Sequence, residues 1–208
     1  MKIIGFVGLP GSGKGEASKI ARDHGLAVVV MGDVIREEAA RQNLEPTDRN
    51  LGRIGNALRA KDGPDAIARK TLDRVMATGK DVVVVDGLRS KAEADFFRAH
   101  AEEFHLVEVY APAKARLKWL ANRGRPDDPV SCPQNEGNIA IISQQDSCAA
   151  ALEERESREM GWGMYEAIEA ADMSLRNDRS LDDFRKNVEM VFGLLRADAA
   201  SSSDDPKT

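Results

Sequence analysis

The chain contains few of the residues that build metal sites and disulfide frameworks. Its 208 residues include 2 cysteines and 3 histidines. Cys132 and Cys148 are far apart, and neither has a histidine or a second cysteine beside it, so their spacing is typical of neither a zinc site nor a disulfide framework. We therefore expect two reduced thiols, and we assign no role to the scattered histidines.

Long apolar runs and an excess of basic residues are also missing. No stretch approaches the ~20 apolar residues that a membrane-spanning helix needs. The formal net charge is −5, which disfavours a nucleic-acid-binding surface because such a surface usually needs a basic face. An apolar strand starts at Lys2 and leaves no room for a signal peptide before it. These absences predict a cytoplasmic protein without a membrane partner, for which a nucleic-acid partner is disfavoured.

The sequence does contain a regular alternation of short apolar runs and amphipathic segments. With 42% hydrophobic residues, a chain of this length can bury the core of one globular domain. Short β-branched runs are typical of strands that are covered on both faces. Their alternation with helices predicts an α/β fold with a parallel sheet and right-handed crossovers. The predicted strands are KIIGFV, LAVVVM, DVVVVDG, HLVEVYA and DMSLRN.

The predicted helices define the domain organisation. Residues 1–196 form one domain, with a helical insert at 33–78 between strands two and three and a polar insert at 124–150 between strands four and five. The tail, 197–208, is poor in apolar residues and is expected to be disordered. The predicted helices span Glu16–Asp23, Val34–Gln42, Asp48–Lys61, Asp65–Thr78, Lys91–His100, Ala113–Arg123, Ala149–Ala170 and Leu181–Arg196.

A glycine-rich loop follows the first strand and reads GLPGSGK, which completes the pattern G-x-x-x-x-G-K ahead of a helix. Backbone N–H groups in such a loop can surround a phosphate chain at the positive end of the helix dipole. Lys14 supplies charge for the β- and γ-phosphates and is a candidate catalytic residue. A glycine-rich turn without a ligand is the simpler alternative. The residues predicted to bind the phosphates of ATP are Gly8, Pro10, Gly11, Ser12, Gly13, Lys14, Gly15 and Glu16.

The residues after Lys14 depart from the usual pattern, in which Ser or Thr offers a hydroxyl to Mg²⁺. Here they are Gly15 and Glu16. The loop resembles that of adenylate kinases, G-x-P-G-x-G-K-G-T. In that pattern a glycine after the lysine is usual, but a glutamate at the next position is not. Glu16 either joins Mg²⁺ through a water molecule or only favours the positive end of the helix dipole.

Asp33 and Arg36 follow the second strand in the segment MGDVIR. This segment looks like T-G-D-x-x-R of adenylate kinases, and the resemblance implies that Arg36 holds the phosphate of the acceptor. Asp33 follows the carboxyl end of a strand, where open α/β sheets bind ligands, and Arg36 offers a bidentate fork. Asp33 is therefore a candidate for acceptor binding, catalysis and metal binding. A helix-capping aspartate with a solvated arginine is the alternative.

A second acidic and basic pair follows the third strand in DGLRS. Asp86 ends that strand, in the usual place of the carboxylate that orients the waters of Mg²⁺. The segment is similar to D-G-x-P-R of the same kinases, although one residue shorter and without the proline, and it implies that Arg89 is a second acceptor-phosphate arginine. Glu93 replaces the glutamine with which adenylate kinases read adenine, and its carboxylate would pair differently. An ordinary strand-to-helix turn is the alternative.

Arginines flank the polar insert. Arg123 and Arg125 resemble the arginines with which the lid of nucleoside monophosphate kinases begins, and Arg155 and Arg158 resemble those on the helix that returns from it. Phosphoryl transfer requires cations around the migrating group, so Arg123, Arg125 and Arg158 are predicted to be catalytic; solvated arginines are the alternative. Trp162 lies between two glycines and either stacks on a ligand or, as we favour, anchors a helix on the core.

From Met1 to about residue 196, the chain resembles archaeal-type, adenylate-kinase-like P-loop proteins. The resemblance implies a P-loop NTPase fold whose five-stranded parallel sheet is flanked by helices, with 33–78 binding the acceptor and 124–150 forming a lid. It also implies ATP as a substrate and Mg²⁺ as a cofactor. The leading hypothesis is γ-phosphoryl transfer to a small phosphate-bearing acceptor, most simply a nucleoside monophosphate. One alternative is a dephospho-CoA kinase, whose acceptor is a hydroxyl, and another is a nucleotide-dependent ATPase or switch that binds a protein or RNA partner.

Overall fold

The protein is described by a computed structural model that covers residues 1–123, 125, 128 and 139–201. Its strands are β1 (Lys2–Val7), β2 (Ala27–Val30), β3 (Val82–Leu88), β4 (Glu103–Tyr110) and β5 (Met173–Arg176). They form one parallel sheet in the order β2-β3-β1-β4-β5. The predicted five-stranded parallel α/β sheet is confirmed, and β1 lies at its centre.

Helices cover both faces of this sheet. None of the described helices is long and apolar enough to cross a membrane. In chain order they are α1 (Lys14–Asp23), α2 (Met31–Arg41), α3 (Asp48–Asp62), α4 (Ala66–Ala77), α5 (Lys91–His100), α6 (Ala113–Arg123), α7 (Ile139–Met160), α8 (Met164–Glu169) and α9 (Leu181–Ser201).

The sheet separates two hydrophobic cores. Every residue of β1 is buried, as expected for a central strand whose side chains alternate between two covered faces. On one face, Ile3 packs with Phe97 of α5 and Ile67 of α4. On the other, Phe6 packs with Phe192 of α9. Because β1 is held on both faces and both edges, the loop that follows it starts from a fixed point.

Several helix boundaries differ from those predicted, most of them by one or two residues and the following by more. Helix α2 begins at Met31, three residues before the predicted start, so Asp33 lies in its first turn. The helix predicted over 149–170 is interrupted at residues 161–163, where Gly163 has a φ of 94°, and α7 starts earlier, inside the predicted lid. Helix α9 continues to Ser201, beyond the predicted start of the tail; residues 202–208 lie outside the described part of the chain.

The cysteines also differ from expectation. Cys148, on α7, is buried and belongs to a disulfide, whereas we expected reduced thiols. The separation of two cysteines along a chain does not limit how closely a fold brings them together, so the spacing argument was too weak to decide this point. The other cysteine, Cys132, lies outside the described residues.

Removal of the Ser90 side chain tests how firmly the loop after β3 is held. Ser90 is buried and caps α5, where its Oγ accepts a hydrogen bond from the backbone N–H of Glu93 at 3.2 Å. We expect Ser90→Ala to lower the free energy of unfolding by about 1 kcal/mol in urea denaturation, the usual effect of losing an N-cap.

Ser174→Ala is the control, because the Ser174 hydroxyl forms an exposed hydrogen bond with Glu108 on the sheet edge. This change should stay within about 0.5 kcal/mol of the wild type. Equal effects of the two substitutions would contradict the capping role of Ser90.

Candidate functional site

The glycine-rich loop runs from the end of β1 into α1, and its backbone requires glycine most strictly at Gly8 and Gly13. Gly8 has a φ of 145°, and a Cβ there would lie 2.3 Å from the carbonyl oxygen of Val109. Gly13 has a φ of 111°, and a Cβ there would lie 2.4 Å from Asn177 Nδ2. Side chains would therefore strain the loop and push it away from β4 and β5.

The loop presents buried polar groups that suit a phosphate chain. The Lys14 ammonium donates hydrogen bonds to the carbonyl oxygens of Gly8 at 2.5 Å and Leu9 at 3.1 Å. Ser12 Oγ is buried and has no hydrogen-bond partner in the described part of the chain. Since a buried hydroxyl without a partner is costly, Ser12 fits a loop that a ligand oxygen completes.

Lys14 stands in an environment that opposes its charge. Burial lowers the pKa of Lys14 to about 7; Asp86 counteracts this shift, and Arg89, Arg155 and Arg123 strengthen it. In the free protein, the ammonium therefore loses its proton near neutral pH. A bound phosphate chain would raise the pKa of Lys14 again.

Two side chains that sequence reasoning missed hold the loop from behind. Asn177 directly follows β5, and its Nδ2 donates to the carbonyl oxygen of Ser12 at 3.0 Å. Arg116 on α6 is buried, donates to the carbonyl oxygen of Pro10 at 3.2 Å and pairs with Glu156 of α7. Asn177 could have been predicted from the sequence, because it follows the carboxyl end of a parallel strand, where such sheets bind ligands. Arg116 could not, because nothing distinguishes it from the other basic residues of α6.

Asp86 lies within β3, which continues to Leu88 instead of ending at Asp86 as predicted. It pairs in register with Phe6 of β1, and its carboxylate accepts a hydrogen bond from the Ser18 hydroxyl of α1 at 2.8 Å. The structure therefore brings Asp86 beside the glycine-rich loop. Among the described residues, no group of three or more His, Cys, Asp and Glu side chains could hold a metal by itself.

This donor set fits Mg²⁺, which usually takes one or two carboxylates and completes its shell with phosphates and water. Glu16 lines the same cavity, but its carboxylate is held by Arg185 of α9 at 3.2 Å. That contact agrees better with a charge at the helix N-terminus than with a metal ligand. Gly15 leaves open space above α1, where the nearest atom to a Cβ would be Arg125 Nη2 at 3.8 Å.

A cavity of about 810 Å³ extends from the glycine-rich loop to the loops after β2 and β3. Among the described residues that line it, nine are cationic and three are acidic. The acidic residues are Glu16, Asp86 and Glu159, and the cationic ones are Lys14, Lys19, Arg22, Arg36, Arg89, Arg123, Arg125, Arg155 and Arg179. On a chain with a net charge of −5, this concentration of positive charge indicates a polyanionic ligand.

Two of the predicted acceptor residues, Arg36 and Arg89, line this cavity. Arg36 donates to Asp33 at 2.8 Å, and both stand beside a second cavity of about 440 Å³. Arg89 forms an ion pair with Glu159 at the end of α7. Burial, and then the guanidinium groups of Arg155 and Arg59, lower the pKa of Arg89 to about 9, so its side chain is still charged at pH 7.

Glu93 lies beneath this region instead of facing the cavity. It is completely buried; one carboxylate oxygen accepts from Arg59 Nη2 and the other from the backbone N–H of Arg89, both at 2.7 Å. The structure thus does not bring Glu93 to a position where it reads an acceptor base. Helix α5 begins after its N-cap at Ser90, and its first turn places Glu93 in the protein interior. The sequence spacing between Arg89 and Glu93 did not reveal this direction.

The predicted lid arginines divide into two groups. Arg123 and Arg125 line the cavity beside the glycine-rich loop, and Asp128 accepts hydrogen bonds from Arg123 Nε at 3.1 Å and from the backbone N–H of Arg125 at 2.8 Å. Arg155 also lines the cavity. Arg158 instead donates from Nη2 to both carboxylate oxygens of Asp48 on α3, at 2.8 Å each. The remaining lid residues, 124, 126, 127 and 129–138, lie outside the described part of the chain.

Trp162 joins the end of α7 to α3 by contacts outside the two hydrophobic cores, whereas we favoured an anchor on the core. Its indole Nε1 donates to Asn56 Oδ1 at 2.6 Å, and the Arg59 guanidinium lies 4.2 Å from the ring centroid. Arg89 and Arg158 lie further out, at 5.9 Å each. The tryptophan therefore supports the acceptor-side arginines.

Comparisons with known proteins agree with this geometry. A family model described as "AAA domain" matches residues 7–131. A UPF0200 protein from Methanothrix thermoacetophila is 49% identical over 92% of this chain and 97% of its own length. A UPF0200 protein from Methanoculleus marisnigri is 45% identical over 92% of this chain and 96% of its own length.

Among solved structures, TT1252 from Thermus thermophilus superposes with a TM-score of 0.58 and 18% identity, over 93% of this chain and 97% of that one. At this identity the likeness supports the fold alone. It extends over the sheet and the helices on both of its faces.

The titration of Lys14 leads to a measurable proton uptake. At pH 8 the free protein holds Lys14 mostly neutral, and binding of ATP raises its pKa, so the complex takes up close to one proton per nucleotide. Below about pH 6 the lysine is already charged and the uptake disappears. Calorimetric titrations in buffers of different ionisation enthalpy measure this quantity.

Lys14→Arg is the control, because an arginine at this position stays charged across the same pH range. The variant should bind ATP without the pH-dependent uptake. Uptake of equal size in the variant would assign the proton to another group.

Proposed function

Since the chain belongs to the UPF0200 family and has a P-loop fold with the AAA domain signature, we propose that it is an ATP-dependent phosphotransferase. Its γ-phosphoryl acceptor is a small molecule that already carries phosphate, most simply a nucleoside monophosphate. The observation that carries this proposal is the excess of cations along one cavity that connects the glycine-rich loop to Arg36 and Arg89.

The distribution of charge in the cavity supports two anionic ligands rather than one. Lys14 ends the glycine-rich loop, and Arg123 and Arg125 line the cavity with it, whereas Arg36 lies on α2 and Arg89 follows β3. A triphosphate bound at the loop would satisfy the first group. Without a ligand, Arg36 and Arg89 are paired with Asp33 and Glu159, and the phosphate of an acceptor would provide a ligand anion for both arginines.

The residues of the chain then divide the work of transfer. Backbone N–H groups of the loop and Lys14 bind the β- and γ-phosphates, while Arg123 and Arg125 compensate the charge of the migrating phosphoryl group. Asp86 would hold Mg²⁺ through water, and the metal, when bound, supplies further charge compensation on the phosphates. Nucleophilic attack needs no protein base, because a phosphate oxygen of the acceptor is already anionic.

A second candidate is transfer to a hydroxyl, as in a dephospho-CoA kinase. The Asp33 carboxylate is 51% exposed and stands at the 440 Å³ cavity beside Asp86 and Ser18, where it could orient an alcohol. We favour the first candidate because Asp33 is paired with Arg36 and an arginine pair suits a phosphate.

Product analysis tests the proposal directly. The protein is incubated with ATP, Mg²⁺ and a panel of nucleoside monophosphates, dephospho-CoA and sugar phosphates, and the products are separated and identified. We expect a nucleoside diphosphate. Hydrolysis of ATP alone, unaffected by every acceptor in the panel, would point to an ATPase or switch instead.

Substitution of Arg36 and Arg89 tests acceptor binding separately from ATP binding. Arg36→Ala and Arg89→Ala should each raise the acceptor KM by roughly ten- to a hundredfold, which corresponds to about 1.5–3 kcal/mol for a charge-assisted contact. The affinity for ATP should change far less. Equal losses for ATP and acceptor would contradict the assignment.

Asp33→Asn distinguishes the two acceptor classes. If a hydroxyl is phosphorylated, loss of the orienting base should lower kcat by roughly 10²–10⁴-fold. We expect a much smaller decrease, because the proposed nucleophile is a phosphate oxygen. Steady-state kinetics with the acceptor found above decide the matter, and a collapse of kcat with a phosphorylated alcohol as product would establish the second candidate.

A further inference from the structure

One carboxylate in the cavity has no part in the proposed transfer. Glu159 is 1% exposed, lies in the last turn of α7 and lines the cavity on the acceptor side. Its Oε1 atom contacts the guanidinium of Arg89 and, at 3.1 Å, Nε of Arg155. A single carboxylate oxygen is therefore shared by two arginines that approach from different elements.

The surroundings explain why an anion is needed there. Arg155 and Arg59 are both close enough to Arg89 to repel its guanidinium group. Without a counter-ion, buried guanidinium groups at this separation would be strongly unfavourable. Glu93 and Asp48 supply part of this negative charge, but the oxygens of Glu93 also accept from Arg59 and a backbone N–H, and Asp48 also pairs with Arg158.

We propose that Glu159 is an intramolecular anion that competes with the acceptor's phosphate for Arg89 and Arg155. Its carboxylate occupies the arginine pair when the acceptor is absent, and its charge opposes any phosphate that approaches. Glu159 thereby sets how tightly the acceptor side binds anions, and it prevents any available phosphate from filling that side. The identity of the anion, the phosphate of an acceptor, rests on the proposed function; the competition between Glu159 and an anion for the two arginines does not.

The charge and the hydrogen bonds of Glu159 can be separated by substitution. Glutamine has the same shape and still offers an amide oxygen to both arginines, but it lacks the negative charge. Glu159→Gln therefore leaves the arginine pair in place and removes the competing charge. If Glu159 only oriented the arginines, the glutamine would hold them less firmly and phosphate would bind more weakly.

The experiment measures binding of inorganic phosphate to the full chain by isothermal titration calorimetry at low salt. We expect Glu159→Gln to bind phosphate about tenfold more tightly than the wild type, because a unit charge a few ångströms away is removed in a partly buried site. Glu153→Gln is the matched control: it makes the same charge change on the same helix, at an exposed position, and should have little effect.

A double variant shows where the phosphate binds. The gain from Glu159→Gln should disappear when Arg89→Ala is added, as a double-mutant cycle requires for groups that act together. If the gain persists without Arg89, the phosphate lies elsewhere in the cavity and the proposal fails. Unchanged or weaker binding by Glu159→Gln overturns it as well.

If Glu159→Gln destabilises the fold, phosphate binding can still be measured from thermal unfolding. Phosphate should then raise the melting temperature of the variant more than that of the wild type, since at one ligand concentration a tighter ligand stabilises the folded state more. An equal or smaller rise contradicts the proposal. Because phosphoryl transfer is not measured, failure to find an acceptor would leave these outcomes unaffected.

Discussion

The repulsion between cations collected around one cavity is the constraint on which the rest of the site depends. The charges of Arg89, Arg155 and Arg123 lower the pKa of Lys14, and the charge of Arg155 lowers the pKa of Arg89. Cationic side chains collected in this way suit a cavity that a polyanion occupies. Without that ligand, the protein itself compensates their charge. Nearby carboxylates pair with the arginines, and backbone carbonyl oxygens accept hydrogen bonds from Lys14.

These substitutes connect parts of the chain that are distant in sequence. Asp48 at the start of α3 is shared by Arg155 and Arg158 of α7. Glu159 joins α7 to the loop after β3, and Glu93 joins that loop to α3 through Arg59. The helical insert, the end of α7 and the loop after β3 thus form one network of charges. A change in charge at any one of them alters the balance at the other two.

Sequence patterns revealed the elements that repeat a local rule. The glycine-rich loop, the strands and the acidic and basic residues after β2 and β3 follow from short segments, and the structure brings Lys14, Asp86, Arg89 and Arg123 to one cavity. The roles of Glu93 and Arg158 did not follow, because each depends on a partner far along the chain. Asp48 lies 110 residues from Arg158, and no local pattern joins them.

Of the chain's 2 tryptophans, Trp119 lines the cavity, whereas Trp162 lies outside its lining and 5.9 Å from the guanidinium of Arg89, which lines it. Indole emission responds to nearby charge and solvent, so each ring senses a different part of the site. In variants that keep one tryptophan, the intrinsic fluorescence reports on ligand binding without an attached dye. Trp119 would report on the region of the glycine-rich loop, and Trp162 on the region of Arg89.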